Sequence, residues 1–412
     1  MWNRMKNLEL YVHTPFCVRK CAYCDFLSFT ADEKTQDKYV QALLNEIRYF
    51  GARMQEYEVS TVYIGGGTPS WLSQEHMMAI LDTIGGSFHI RRDVEASIEC
   101  NPGTVTKRKL LSYKQAGLNR LSIGLQSTDD RELKYLGRIH TYDQFLKTYE
   151  LARNTGFDNI NIDLMSGLPY QTVENYMKSL QRIIRLRPEH ISAYSLIIEK
   201  GTPFYEQYKF DAVRQEAGMQ PEILPCEDDV CQMTRLTRQM LTEAGYEWYE
   251  ISNFAKPGYA CRHNIGYWTG ENYLGLGLGA ASLLENVRYS NTRDIYSYIE
   301  GTHSMSECSY RDMCGQENPN VQTWFGTNLH ESADVILKKS QMEEFMFLGL
   351  RMRSGISRAE FEKRFAMPIE AVYREPIEQL KEEALLSARE GRIALTDKGM
   401  DLANYAMAKF LF

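Results

Sequence analysis

Three cysteines, Cys17, Cys21 and Cys24, stand at CxxxCxxC spacing in the run YVHTPFCVRKCAYCDF, residues 11–26. Thiols this close together, in a chain without a secretion signal, read as metal ligands before disulfides. Thiolates hold iron–sulfur clusters, usually through four cysteines, so a set of three leaves one iron of a four-iron cluster open to an outside ligand. The chemistry to expect is that of a catalytic or substrate-binding cluster. A second set of residues stands at the ends of apolar, β-branched runs: Gly65-Gly66-Gly67-Thr68-Pro69, Glu99-Cys100-Asn101-Pro102, Gln126 and Asp163. Singly, each has a plain reading, a triple glycine as a turn and a carboxylate as a helix cap. Jointly they read as a site, because the C-terminal ends of parallel barrel strands share one face. Glycines let the backbone approach a ligand, and free N–H and C=O groups can pair with an amino acid's ammonium and carboxylate. The spacing is not GxGxxG, so a dinucleotide fingerprint is not expected.

These residues need a scaffold of alternating strands and helices. Strand-like runs occur at 8–13, 60–65, 94–99, 120–126, 159–165 and 190–198, separated by amphipathic segments such as DKYVQALLNEIRYF, with Tyr39, Leu43, Ile47 and Phe50 on one face. Strands alternating with helices imply parallel pairing with right-handed crossovers. Six units predict an α/β fold built on an open, partial (β/α)6 TIM-like barrel over 1–210, although a doubly wound sheet has the same local signature. An α+β extension is expected over 211–300, with a helix near 228–244 closed by Gly245 and a strand-like YEWYEIS. In NYLGLGLGAAS (272–282), glycines alternating with leucines predict a strand closely approached by another backbone. Residues 301–340 are polar and poorly periodic and read as a linker or insertion. Residues 341–412 carry helical runs, a turn, a short strand and a last helix, the order of a winged-helix-like domain.

The formal net charge of −7 over 412 residues argues against a general nucleic-acid binder, which needs a basic face. No run approaches the ~18 apolar residues of a membrane-spanning helix, and the first residues lack an apolar leader core. A cytoplasmic chain, not integral to a membrane, is expected. Cys100, Cys226, Cys231, Cys261, Cys308 and Cys314 read as free thiols. Cys308 and Cys314, at CxxxxxC spacing, also leave room for a small metal site.

CxxxCxxC with Tyr23 before the last cysteine, followed by GGGTP, IECNP, IGLQS, LGRIH and DLMSGLP, resembles the radical S-adenosylmethionine (SAM) enzymes. More narrowly, it resembles the branch holding oxygen-independent coproporphyrinogen III oxidase and its heme-chaperone relatives, from about Leu8 to Ser282 and again from Glu343. The resemblance implies a [4Fe-4S] cluster on Cys17, Cys21 and Cys24, with SAM chelating the open iron through its amino and carboxylate groups. Tyr11, Gly66, Gly67, Thr68, Glu99, Gln126, Arg138 and Asp163 match the SAM-contacting positions. Glu99 and Asp163 can accept hydrogen bonds from ammonium or ribose hydroxyls, and Arg138 can offer a fork to the carboxylate. Taken alone, Arg138 reads as a solvated helix charge. Tyr23 reads as a wall beside the adenine or simply as packing.

HNIGYW (263–268) matches an HNxxYW motif linked in that branch to heme binding. A neutral imidazole can ligate heme iron, which makes His263 the heme-ligand candidate; a hydrogen-bonded structural histidine is the other reading, with Tyr267 and Trp268 as packing. The oxidase pattern has a further cysteine where this chain has Phe26, and a longer arm before the first strand. Both differences favour a heme chaperone that passes heme to acceptor proteins such as membrane-bound respiratory cytochromes, served by an electron donor. The alternative is a radical SAM oxidoreductase acting on coproporphyrinogen III or a related tetrapyrrole. A DNA-binding regulator is weaker, because Glu378, Glu382 and Glu383 populate the expected outer face of the C-terminal unit.

Overall fold

The computed structural model describes residues 5–307 and 329–412; Cys308 and Cys314 lie outside the described residues. The first half runs β1 (Lys6–Thr14), α1 (Glu33–Arg53), β2 (Tyr57–Gly66), α2 (Gln74–Ser87), β3 (His89–Cys100), α3 (Lys107–Gln115) and β4 (Arg120–Gln126). It continues with α4 (Asp130–Tyr135), α5 (Tyr142–Asn154), β5 (Ile160–Ser166), α6 (Val173–Leu186) and β6 (His190–Ser195). Polar caps start these helices where the sequence changes period: Asp32, Ser73, Thr106 and Thr172 accept backbone N–H groups, and Thr141 with Gln144 closes a capping box on α5.

Strands β1 to β6 pair in chain order and in parallel. Period-two alternation decides which side chains face the helices. Leu8, Leu10 and Val12 of β1, and Leu121, Ile123 and Leu125 of β4, are at most 1% exposed in the outer core. The alternate positions, among them Glu9, Tyr63, Glu95, Arg120, Asn161 and His190, give the barrel a polar interior. This is the partial barrel, not the doubly wound alternative.

The next elements extend the same sheet. They are α7 (Pro203–Glu216), α8 (Glu227–Glu243), β7 (Glu247–Glu250), β8 (Asn253–Ala255), α9 (Arg262–Thr269), β9 (Tyr273–Leu276), β10 (Ala281–Leu284), β11 (Val287–Asn291), α10 (Ile295–Glu307) and β12 (His330–Val335). The twelve-stranded order is β12-β11-β10-β9-β1-β2-β3-β4-β5-β6-β8-β7. Strand β9 pairs with β1 in parallel, and Gly275 faces the Ala281 carbonyl where no Cβ would fit, the close approach expected of the glycine run. The stretch expected as a linker is regular at both described ends, in α10 and in β12, which pairs antiparallel to β11. Its apolar period is too short there to read from the sequence.

The chain closes with α11 (Lys338–Gly349), β13 (Ile356–Ser357), α12 (Arg358–Phe365), α13 (Glu370–Glu382), β14 (Leu386–Arg389), β15 (Arg392–Leu395), α14 (Asp397–Asp401) and α15 (Ala403–Ala408). A three-stranded sheet, β13-β15-β14, and these helices bury a core of their own around Phe361, Tyr373, Leu380 and Ile393. Glu378 and Glu382 are exposed on α13. Among the described residues, no helix is long and apolar enough to cross a membrane.

Glu46 of α1 ties the added strands to the barrel. It is fully buried and accepts from Gly277 N–H at 2.7 Å, Asn291 Nδ2 at 2.7 Å and Tyr298 OH at 2.6 Å. Burial nevertheless pushes its carboxyl up to about 7. A carboxyl raised in the fold contributes its stability below its unfolded pKa and loses it as pH rises through the folded value. Compared by chemical denaturation, wild type should therefore lose roughly 2–3 kcal/mol relative to Glu46→Gln between pH 4.5 and 8. Parallel pH curves for the two proteins would show that Glu46 is not held this way.

Candidate functional site

The carboxyl ends of the parallel strands open into a cavity of about 440 Å³. The loop after β1 brings Cys17, Cys21 and Cys24 to it, with Tyr23; the ends of β2 to β5 bring Gly66, Gly67, Thr68, Glu99, Gln126 and Asp163, and Arg138 follows α4. The cysteine loop is pinned through its backbone. Cys17 N–H donates to Phe29 O at 3.0 Å, Ala22 N–H to Leu136 O at 3.3 Å, and Phe204 N–H of α7 to Ala22 O at 3.0 Å. Gly67 is required by contact, since a Cβ there would stand 2.8 Å from the Phe16 carbonyl oxygen. Gly66, at φ +114°, combines a left-handed backbone with a Cβ position 2.6 Å from the His13 ring.

Each cysteine sulfur has a donor beside it: Thr68 Oγ1 lies 3.6 Å from Cys17 Sγ, Arg138 Nη1 3.7 Å from Cys21 Sγ, and Ser28 Oγ 4.0 Å from Cys24 Sγ. Donors of this kind orient and tune thiolate ligands. Among the described residues, no three acidic, thiol or imidazole groups surround a single-ion position. A multi-iron cluster asks for something different, thiolates spread over its corners, and thiols lining one cavity with donors at their sulfurs fit that chemistry. Burial raises the Cys24 thiol, so a metal bound there must displace its proton.

Two carboxyl groups face the same space. Glu99 accepts from Gly66 N–H at 3.1 Å and Tyr63 OH at 3.1 Å, yet burial and the neighbouring Asp163 push it up to about 7. Asp163, bonded to Asn161 Nδ2 at 2.7 Å, is raised by burial as well. Arg138 is not a solvated helix charge. Its Nη2 donates to Asn101 Oδ1 and Gly124 O at 2.6 Å each, and its Nε is buried without a partner. Two carboxyl groups facing one cavity beside a guanidinium with one open donor suit a ligand carrying an ammonium and a carboxylate. The N–H groups expected to be free on the triple glycine are taken, Gly66 by Glu99 and Gly67 by Thr14 O at 2.8 Å. What the glycines can offer an ammonium is carbonyl oxygen.

Gln126 holds φ +74°, uncommon outside glycine, with its side-chain oxygen accepting from Tyr194 OH at 2.9 Å. Asn101, expected here with its strand end, and Tyr194, which the sequence reading does not include, also line the cavity. Tyr194 is accessible to the rule that finds Asp163, since it stands at the carboxyl end of β6. Tyr11 does not line the cavity; its hydroxyl bonds His13 Nδ1 at 3.0 Å and its ring stacks on Tyr63.

His263 is also elsewhere. It lies in the first turn of α9, 1% exposed, with Nδ1 2.7 Å from Thr61 Oγ1 and Nε2 3.1 Å from Tyr267 OH. Its ring stacks on Tyr63 at 5.2 Å, and Glu95 of β3 accepts the backbone N–H groups of Arg262 and His263. This arrangement leaves no ring nitrogen for a heme iron and has the form of the structural-histidine reading. Glu9 comes within 3.8 Å of Nδ1, but burial pushes Glu9 up to about 9 and His263 down to about 3. Both are neutral near pH 7, so the contact is dipolar rather than ionic.

Between α9 and the cavity stands Arg120, 2% exposed, with Nε and Nη1 lacking hydrogen-bond partners. Nothing in the run NRLSIGLQ distinguishes it from a surface arginine at a strand start.

A histidine held neutral stabilises the fold above its unfolded pKa and loses that contribution as pH falls. At pH 8, His263→Ala should cost about 2–4 kcal/mol in chemical denaturation, because two partners are left unpaired in the interior. The deficit should shrink as pH falls from 6.5 towards 4. A deficit independent of pH would contradict the neutral, doubly bonded ring.

Residues 11–183 match the family described as the radical SAM superfamily, and residues 336–402 match the HemN C-terminal domain. Similar proteins include heme chaperone HemW of Lactococcus lactis subsp. lactis, 34% identical over 98% of each chain. HemW of Bacillus subtilis is 33% identical over 97% of this chain and 98% of its own, and HemW of Escherichia coli is 39% identical over 77% and 81%. Among solved structures, the Escherichia coli coproporphyrinogen III oxidase HemN superposes with a TM-score of 0.80 at 22% identity, covering 98% of this chain and 90% of that one, a likeness of fold. With cysteines, glycines and strand-end carboxyls around one cavity and full-length relatives above 30% identity, the chain belongs to the HemW family of the radical SAM superfamily.

Proposed function

We propose that the chain is a heme chaperone that binds heme, carries a SAM-liganded [4Fe-4S] cluster and delivers heme to acceptor proteins. The observation that carries this reading is identity to chaperones of that name over nearly the whole chain, C-terminal domain included. Phe26, 71% exposed beside the cavity, supports it by supplying an apolar contact where the oxidase pattern has another cysteine.

In this reading Cys17, Cys21 and Cys24 would hold the cluster, and the donors of Thr68, Arg138 and Ser28 would steady their thiolates. When bound, a SAM-liganded cluster supplies one-electron chemistry or a redox-sensitive structural anchor. Glu99 and Asp163 would accept hydrogen bonds from the ligand's ammonium or ribose, Arg138 Nε would reach its carboxylate, and Gly66, Gly67 and Thr68 would shape the floor. Tyr23, packed 6.2 Å from the Phe204 ring, would wall the adenine side, with Gln126 beside it. Tyr11 would act from behind, through His13. An electron donor and acceptors such as respiratory cytochromes complete the proposed cytoplasmic cycle.

Anaerobic reconstitution of the full chain should load about four irons, and each of Cys17→Ala, Cys21→Ala and Cys24→Ala should abolish the cluster absorption. Asp163→Asn should keep the iron while weakening SAM binding roughly tenfold, through loss of a charged hydrogen bond. Hemin titration should yield a discrete complex able to load an apo-cytochrome, and coproporphyrinogen III should be returned unchanged. Absence of any heme complex would remove the chaperone reading, whereas decarboxylated product would replace it with the oxidoreductase.

A further inference from the structure

Helix α9 presents two faces. His263 and Tyr267 bond one another within the barrel interior, whereas Ile265, Trp268 and Thr269 line a separate cavity of about 160 Å³ shared with α11 and the start of the C-terminal sheet. Leu283, Phe345, Leu348 and Met352 make most of its wall apolar.

Trp268 Nε1–H borders this cavity, buried and without an acceptor. A donor left so is costly, about 1–3 kcal/mol, and a ligand acceptor would relieve it. Arg351 stacks on the indole at 4.2 Å and holds the ring in place.

The second observation is charge. Arg364 and Arg392 line the cavity, and neither has a carboxylate partner among the described residues. Arg392 is positioned by donating to Ser354 O and Gly355 O at 2.7 Å each. Arg364 lies against Gly270, the left-handed C-cap of α9, where a Cβ would stand 3.1 Å from Nη1. Of the acids lining the cavity, Glu344 is taken by Arg288 at 2.8 and 3.0 Å, which leaves Glu360 against two cations. An apolar slot with an open indole N–H and surplus guanidinium charge suits an aromatic ring that carries a carboxylate.

Size narrows the match. A cavity near 150 Å³ accepts a benzene-sized group, so this one takes a single substituted pyrrole and not a whole macrocycle. Resting on the heme reading above, we propose that the slot between α9 and α11 grips the propionate-bearing edge of heme. One pyrrole ring sits among Trp268, Phe345 and Leu348, and its carboxylate accepts from Trp268 Nε1–H and Arg364. Trp268 rather than His263 is then the ligand-contacting residue of HNIGYW, and the C-terminal domain supplies half the site.

The test titrates the full chain with hemin and with hemin dimethyl ester, following the Soret band for wild type, Trp268→Phe and Arg364→Gln. Each substitution should weaken hemin binding roughly tenfold, the worth of a charged hydrogen bond, with the melting temperature of Arg364→Gln unchanged. The ester should bind wild type and Arg364→Gln alike, because its carboxylates are blocked. Arg364 is exposed, so its variant stays informative even if Trp268→Phe folds poorly. Tight hemin binding that ignores both substitutions would overturn the slot and leave the chaperone reading standing; no binding by wild type would overturn both.

Discussion

The interior of the barrel depends on one buried cation. Arg120 has Glu95, Glu99 and Asp163 around it, and their field offsets the burial that works against its charge. Removing that charge would leave the inner-face acids facing each other in a low dielectric, where like charges repel strongly. Burial, reinforced by the same cation, holds His263 and His190 neutral. Glu95 and Glu99 stand four residues apart on one face of β3: one anchors the N-terminus of α9, the other the glycine turn at the cavity. Both ends of the barrel are therefore organised about Arg120.

Much of this was legible in the sequence. The six strands declare themselves through β-branched runs, and period-two alternation decides which residues turn inward. The cysteines, glycines, Glu99, Gln126 and Asp163 are found by a positional rule, the carboxyl ends of parallel strands, so their meeting in one cavity follows from topology. Arg138 is different. It lies beyond a short helix, and only the fold of that loop turns a surface-looking arginine towards Cys21 and Asn101.

What could not be read depended on long-range partners. His263 offers the same letters whether it ligates iron or bonds Thr61, 202 residues away. Strand β12 and helix α10 were hidden because their pairing partners, β11 and α1, are distant and their own apolar pattern is brief. Arg120 was invisible for a related reason: a buried charge is tolerated only when the surrounding acids arrive from other strands.

Helix α9 closes off the β1–β3 side of the barrel, and below Asp163 the inner positions are filled by Asn161, Arg120 and His190, all at most 2% exposed. The cavity consequently reaches the surface away from that floor, where Phe26, 71% exposed, is part of its lining. The loop that carries the cysteines is therefore also the rim of the pocket, so a protein docked on Phe26 would touch cluster ligands and pocket entrance together.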